Sequence, residues 1–276
     1  TSAPQGQGHE TTAAQIVADE LGVDPGDVRV NAGFDTESQP LGISAGTYSD
    51  RFGTIGHTAV ARAAQDLRSQ IEQVGAHLLD VPVEAATLAD GEVTGGGDAV
   101  SVSRIAGTTY WNPTSLPADV DPSLASFTVV SMDEARAVTD DDRMNSTVTN
   151  GFGAHFVAVE IDRATGAVSI ADYLAVHDSG TIVNPMIVEG QIEGATAYGL
   201  ATVLYEFHEY DDTGTLQTDT LMDYGMPTAK EIPPFRQCHL ETPSPVTQLG
   251  SKGVGDAGTI AAMPAEPEGR LFVHLA

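Results

Sequence analysis

Apolar residues recur at helical spacing in three stretches of this chain and alternate or cluster at strand spacing in several others. Ala14, Val17 and Leu21 predict a helix that follows the polar opening QGQGHETT and stops at Gly22. From His57 to Leu79, Val60, Ala63, Leu67, Ile71 and Val74 form one stripe, so a long amphipathic helix covering a sheet is expected, with His57 and His77 as ordinary helix residues. A third helix is expected over Ile187 to Phe207. Gly190 and Gly194, four apart, share one of its faces and serve either a ligand or close packing on a sheet.

Strand signals lie between these helices. Val28 to Asn31 is a short candidate after the turn VDPGD, and Pro82 to Ile105 reads as short strands broken by DGEV and GGGD. Phe156 to Ile161, the turn DRATG and Val168 to Val176 predict a hairpin, and EYDDTGTL signals another. Gly33 to Gly46 and Tyr110 to Pro122 read as irregular. The pattern predicts an α+β fold with mixed or antiparallel sheets covered by helices. Residues 1–265 are expected to form one domain with two lobes, and 266–276 an atypical tail.

Composition narrows the function. With 276 residues, 41% of them hydrophobic, the chain can bury a sizeable core. Thirty-nine acidic residues against twelve basic ones give a formal charge of −27, which disfavours nucleic acid as a partner. Glycines separate periodic segments rather than forming low-complexity tracts, so the charge resembles that of cytoplasmic proteins from salt-loving organisms. No apolar run reaches membrane-span length, and TSAPQGQGHE lacks the features of an export signal. Because the chain opens without Met inside a functional-looking loop, material is expected upstream. One cysteine, Cys238, excludes an internal disulfide and a cysteine-held zinc or iron–sulfur centre. It reads as an ordinary strand residue.

The candidate chemistry lies in glycine-led polar loops. QGQGHETT feeds a helix start, where backbone N–H groups suit an anion and the amides of Gln5 and Gln7 suit a heterocycle; a frayed polar terminus is the competing reading. Thr47, Tyr48, Ser49 and Arg51 are candidates for a phosphate, against the charge of Asp50. HDSGTIVNP places Asp178 and Asn184 at a strand end before the third helix, which carries Gln191. The loop SKGVGDAGTIAAMPA organises the rest. Gly253, Gly255 and Gly258 can take positive φ and let the backbone approach a ligand closely, Thr259 is a reasonable cap for a short helix from Ile260 to Met263, and Asp256 is expected to act as a proton acceptor. A solvated Asp on a glycine turn is the alternative. Lys252, one of only two lysines, lies in the same loop. Scattered polar loops of this kind suit one extended ligand. The run TDDDR lacks calcium-loop spacing, and no zinc, Walker, nucleophile-elbow or Rossmann motif is present.

Taken together, QGQGHET, GTYSDR, VNP with VEGQIEG, MDY, ETPSP and KGVGDAGTIAAMPA resemble, in order and spacing, the C-terminal cofactor-binding half of the molybdenum hydroxylase large subunits. That family includes xanthine dehydrogenase, aldehyde oxidase and aerobic carbon monoxide dehydrogenase. The resemblance implies a molybdopterin cofactor, in prokaryotes usually the cytosine dinucleotide form, with molybdenum held by the cofactor's dithiolene. It implies that Gln7, Gly8 and His9 lie along the cofactor and Thr47, Tyr48 and Ser49 near its phosphates. Asp178, Asn184 and Gln191 would lie near its pterin or nucleotide, and Lys252, Gly253 and Gly255 at the metal end. It implies hydroxylation of an aldehyde, an N-heterocycle or carbon monoxide, with the N-terminal half of the large subunit and iron–sulfur and FAD subunits as partners. The family's catalytic glutamate of GVGE is Asp256 here, its GSR is Ser49-Asp50-Arg51, and the sequence departs after Ala265. These departures keep a truncated, non-catalytic cofactor- or subunit-binding module as an alternative, and an acidic calcium-binding or surface protein as a second.

Overall fold

The fold is that of a computed structural model, which describes residues 4–32, 50–118, 120–130 and 149–265. It is α+β, as the patterning predicts, and the chain divides into two compact units. The first comprises residues 1–148 with 245–249, the second 149–244 with 250–276.

The first unit is built on α1 (His9–Leu21) and α2 (His57–Leu79), followed by β1 (Thr87–Ala89), β2 (Glu92–Gly95) and β3 (Asp98–Ser101) in an antiparallel meander. α3 (Val102–Trp111) follows at once, because Ser101 turns the chain and caps the helix by accepting from the Arg104 N–H. The expected strand therefore ends before Ile105, and Tyr110 and Trp111 are helical. Val28 to Asn31 forms no strand.

The stripe on α2 buries Ile71 and Val74 with Leu21, Leu88, Val93 and Ile105. Helix and sheet approach so closely that a Cβ on Gly75 would meet the Val93 side chain at 2.6 Å. Arg68 ties three elements together, donating to the Glu20 and Leu88 carbonyls and to Glu72. Glu72 in turn accepts from the Leu88 N–H. These polar groups are half-buried, so each is satisfied by a neighbour rather than by solvent alone.

The second unit centres on β4 (Phe152–Ile161), β5 (Val168–Asp178) and β6 (Arg236–Leu240), in the order β4-β5-β6. β4 and β5 form the expected hairpin, longer than its apolar core suggested, closed by a turn in which Gly166 is left-handed (φ 75). β6 returns parallel to β5, so the sheet is mixed. Tyr173 and Ala175 on its inner face pack with Val188, Ile192 and Leu200 of α4 (Pro185–Leu204).

α4 meets α5 (Ala257–Ala265) at Gly199 and Gly258, where a Cβ would strike Ala262 at 2.8 Å and the Thr196 nitrogen at 2.8 Å respectively. Gly190 and Gly194, read as serving either a ligand or close packing, have open space around them, which rules out the packing role. Of the second expected hairpin, a single bridge between Tyr210 and Leu216 is present. No helix among the described residues is long and apolar enough to cross a membrane.

Candidate functional site

In the first unit the glycine loop has the backbone its sequence calls for. Gly6 (φ 96) and Gly8 (φ 77) are left-handed, and Gly8, the N-cap residue, has no side chain to cap the N–H groups that open α1. Around Gly6, space for a ligand is open, since a Cβ there would meet nothing within 4 Å. The Gln7 side chain accepts from the Gln5 N–H, which folds the loop on itself.

His9 is buried and stacks on Phe52, with ring centroids 3.8 Å apart. Phe52 meets His57 edge-on, and His57 Nε2 lies 3.2 Å from the Thr12 hydroxyl. His9 Nδ1 is buried with no hydrogen-bond partner among the described residues. A buried polar atom left without a partner fits a ligand that would supply one. The sequence reading treated His57 as an ordinary helix residue and passed over Phe52. His57 meets Thr12 across 45 positions of chain, a pairing with no local signature.

Burial, and then the nearby His9, push the His57 imidazole down to about 4, and burial lowers His9 against the opposing charge of Glu10. For His57 the folded state favours the neutral ring, whereas the unfolded ring titrates at 6.5. The unfolded chain therefore binds more protons between these values. Stability is complete above pH 6.5 and falls as pH drops toward 4, by roughly 3 kcal/mol. Urea unfolding followed against pH is expected to show this loss, and His57→Gln to remove it from that window. An unchanged slope in the variant would contradict the assignment.

In the second unit the end of β5 and the organising loop are fastened together. Lys252 Nζ lies 2.9 Å from Asp178 Oδ2, with side-chain exposures of 9% and 0%. The other carboxylate oxygen accepts from the N–H groups of Gly180 (2.8 Å) and Thr242 (3.1 Å). Burial alone would raise the Asp178 carboxyl, but the hydrogen bonds from Lys252, Gly180 and Thr242 outweigh it and hold the group below the usual carboxylate range.

The backbone reinforces this ion pair. Lys252 donates its N–H to the Ser179 carbonyl, and the Gly250 carbonyl accepts from Thr181 and Ser244. A Cβ on Gly180 (φ 63) would lie 2.2 Å from the Gly250 oxygen, so only glycine fits that approach. The left-handed conformation open to Gly253, Gly255 and Gly258 is found at Gly250 (φ 75) instead. Thr259 does not cap α5; its hydroxyl donates to the Ala195 carbonyl 2.8 Å away and fixes α5 to α4.

Asp256 stands exposed immediately before α5, on the loop that the Lys252–Asp178 pair anchors. Asn184 caps α4, its side chain accepting from the Ile187 N–H. Gln191 lies half-buried on the same helix. Thus Asp178, Lys252, Gly253, Gly255 and Asp256 belong to one anchored turn, with Asn184 and Gln191 on the helix that follows β5. Gln7, Gly8 and His9 belong to the first unit. Thr47, Tyr48 and Ser49 lie outside the described residues, as do TDDDR and the tail after Ala265.

Across β4 and β5 runs a hydrogen-bonded chain that sequence reasoning missed. His155 contacts the Tyr173 hydroxyl through Nδ1 and His177 Nε2 through its own Nε2, each at 2.7 Å. Burial and then His177 push His155 down to about 4. In the facing position on β6, His239 Nε2 lies 3.8 Å from Glu189, beyond hydrogen-bond reach. The spacing of these histidines is meaningful only once the strand register is known.

The chain matches the molybdopterin cofactor-binding domain over residues 1–233. It is 37% identical over 264 residues to the nicotine 6-hydroxylase large subunit of Paenarthrobacter nicotinovorans, a match covering 95% of this chain and 30% of that protein. To the carbon monoxide dehydrogenase large chain of Hydrogenophaga pseudoflava it is 36% identical over 266 residues, covering 94% and 30%. The crystal structure of quinoline 2-oxidoreductase from Pseudomonas putida 86 superposes with a TM-score of 0.79 at 37% identity, over 95% of this chain and 32% of that one. The chain thus spans about 30% of the length of the curated relatives it matches. The open, left-handed glycine loop with an unpartnered imidazole nitrogen beside it fits a bound heterocyclic cofactor, and the match extends across both units: the chain belongs to the molybdopterin cofactor-binding domain family.

Proposed function

We propose that this chain is the cofactor-binding part of a molybdenum hydroxylase large subunit that oxidises an aldehyde, an N-heterocycle or carbon monoxide with a water-derived oxygen. The observation that carries the reading is the buried Lys252–Asp178 pair, which fixes a glycine turn ending in a free carboxylate. When bound, the molybdenum cofactor, in its cytosine dinucleotide form, supplies the redox chemistry. In the first unit Gln7, Gly8 and His9 contact it, with His9 Nδ1 taking up a hydrogen bond that no described residue makes. Thr47, Tyr48 and Ser49 are assigned to its phosphates.

In the second unit Asn184 and Gln191 serve the pterin or nucleotide, and Lys252, Gly253 and Gly255 face the reacting end. Asp178 acts by holding Lys252 in place. Asp256 takes up the proton released during hydroxylation on its carboxylate, which is accessible. The partners are the rest of the large subunit and iron–sulfur and FAD subunits, in the cytoplasm of a salt-adapted cell.

A second reading, a cofactor-holding module without turnover, is favoured by one feature. Asp256 is one methylene shorter than the family's glutamate, and a misplacement of about 1 Å costs on the order of 100-fold in rate. Elemental analysis of chain co-purified with its companion subunits tests the binding itself. Molybdenum in stoichiometric amount is expected, reduced in a His9→Ala variant. Metal-free protein from a host that loads other molybdenum hydroxylases would refute the assignment.

A further inference from the structure

Among the described residues, one face of the second unit's sheet is largely apolar and exposed. Burial along β4 and β5 alternates, and the inner face packs on α4. The outer face carries Phe152, Ala154 and Phe156 on β4, of which the two phenylalanines are 56% and 61% exposed. In register beside them stand Leu174 and Val176 on β5, then exposed Cys238 and Leu240 on β6. The two central rows, Phe156–Leu174–Arg236 and Ala154–Val176–Cys238, hold no acidic side chain in a chain with 39 of them. Arg236, the one charge, is paired with Asp172 at 2.6 Å.

A strand that faces water on one side alternates apolar and polar residues, whereas β4 reads FGAHFVAVEI and is apolar on both sides through most of its length. Between Phe152 and Leu240 stands Asp178, buried and paired with Lys252, and a contiguous apolar patch whose few charges are paired in this way marks a surface that another polypeptide covers. The occupant follows from proportion: the matched region is 30% of the relatives' large subunits, leaving 70% of each outside it.

We infer that the outer face of β4, β5 and β6 is the docking surface for that remaining portion of the large subunit, an apolar partner surface seated on Phe152, Phe156 and Cys238. The inference rests on the large-subunit reading above. Docking also reaches the anchored turn, because Lys252 Nζ lies 6.0 Å from the Phe152 ring centre on this face.

Cys238, the single cysteine of the chain, reports on the face directly. The isolated chain is compared with a hybrid in which it replaces the matched region of the nicotine 6-hydroxylase large subunit. Maleimide labelling of Cys238 is followed by mass spectrometry. In the isolated chain the thiol is expected to label at the rate of an exposed cysteine, and in the hybrid at least about tenfold more slowly. Phe156→Asp should restore fast labelling in the hybrid while leaving the circular dichroism and unfolding of the isolated chain unchanged. Equal rates in chain and hybrid would overturn the inference. So would a dimer of the isolated chain that protects Cys238, which would assign the face to a second copy. Labelling is measured without cofactor, so a failure here is distinct from a failure to retain molybdenum.

Discussion

Lys252→Met is expected to destabilise the second unit by about 3–5 kcal/mol, the usual result of leaving one member of a buried ion pair behind. Asp178 has no exposed side-chain surface to which it can turn for solvation, and two of its three described donors are backbone groups that stay in place. Removing both charges, as in Asp178→Asn with Lys252→Met, should recover part of the loss. Urea titration of the four proteins of this cycle measures the coupling. A lysine that could be replaced at a cost below about 0.5 kcal/mol would behave as a surface residue, and the anchoring role would be refuted. The exposed pair Arg236–Asp172 is the internal control, because solvent-exposed pairs contribute about 0–1 kcal/mol.

For the assembled enzyme, Asp256→Ala is expected to lower turnover by about 10²- to 10⁴-fold, the range associated with removing a general base. Stability should barely change, since the side chain is exposed and lies outside both buried clusters. That pairing of a large kinetic effect with a small thermodynamic one separates a proton acceptor from a structural residue. Steady-state rates and unfolding midpoints on the same preparations measure both. Asp256→Glu restores the missing methylene; if it gains activity, the native loop holds its carboxylate too far back. An Asp256→Ala variant that turns over at the parent rate would refute Asp256 as the proton acceptor.

The helices and the main hairpin could be read from the residues because their signals are local. His57 to Leu79 was predicted to the residue, since its stripe and flanking breaks lie within one element. The family was legible from the order of its loops, with no single motif sufficient. What the residues did not give was the partner of each group. Asp178 was expected near the cofactor, and that its carboxylate is held by Lys252, Gly180 and Thr242 follows only from the fold. Gly190 and Gly194 were read as serving either a ligand or close packing, whereas Gly199 and Gly258 make the packing contact, because which face of an apolar helix is covered depends on where α5 falls. The left-handed glycine of the organising loop lies at Gly250, ahead of the stretch whose composition drew attention.

The two residues that fasten the turn are 74 positions apart, and the strand leading toward Lys252 pairs in parallel with β5. Contacts of such long sequence separation carry a large loop-closure entropy and form after local ones. The β4–β5 hairpin can assemble early in refolding, while the turn bearing Asp256 takes shape only when β6 has docked. Cofactor loading is then a natural checkpoint for completed folding: a chain stalled at the hairpin stage would have its helices and no competent turn, and pulse-labelled amide exchange during refolding should find residues 250–256 among the last to gain protection.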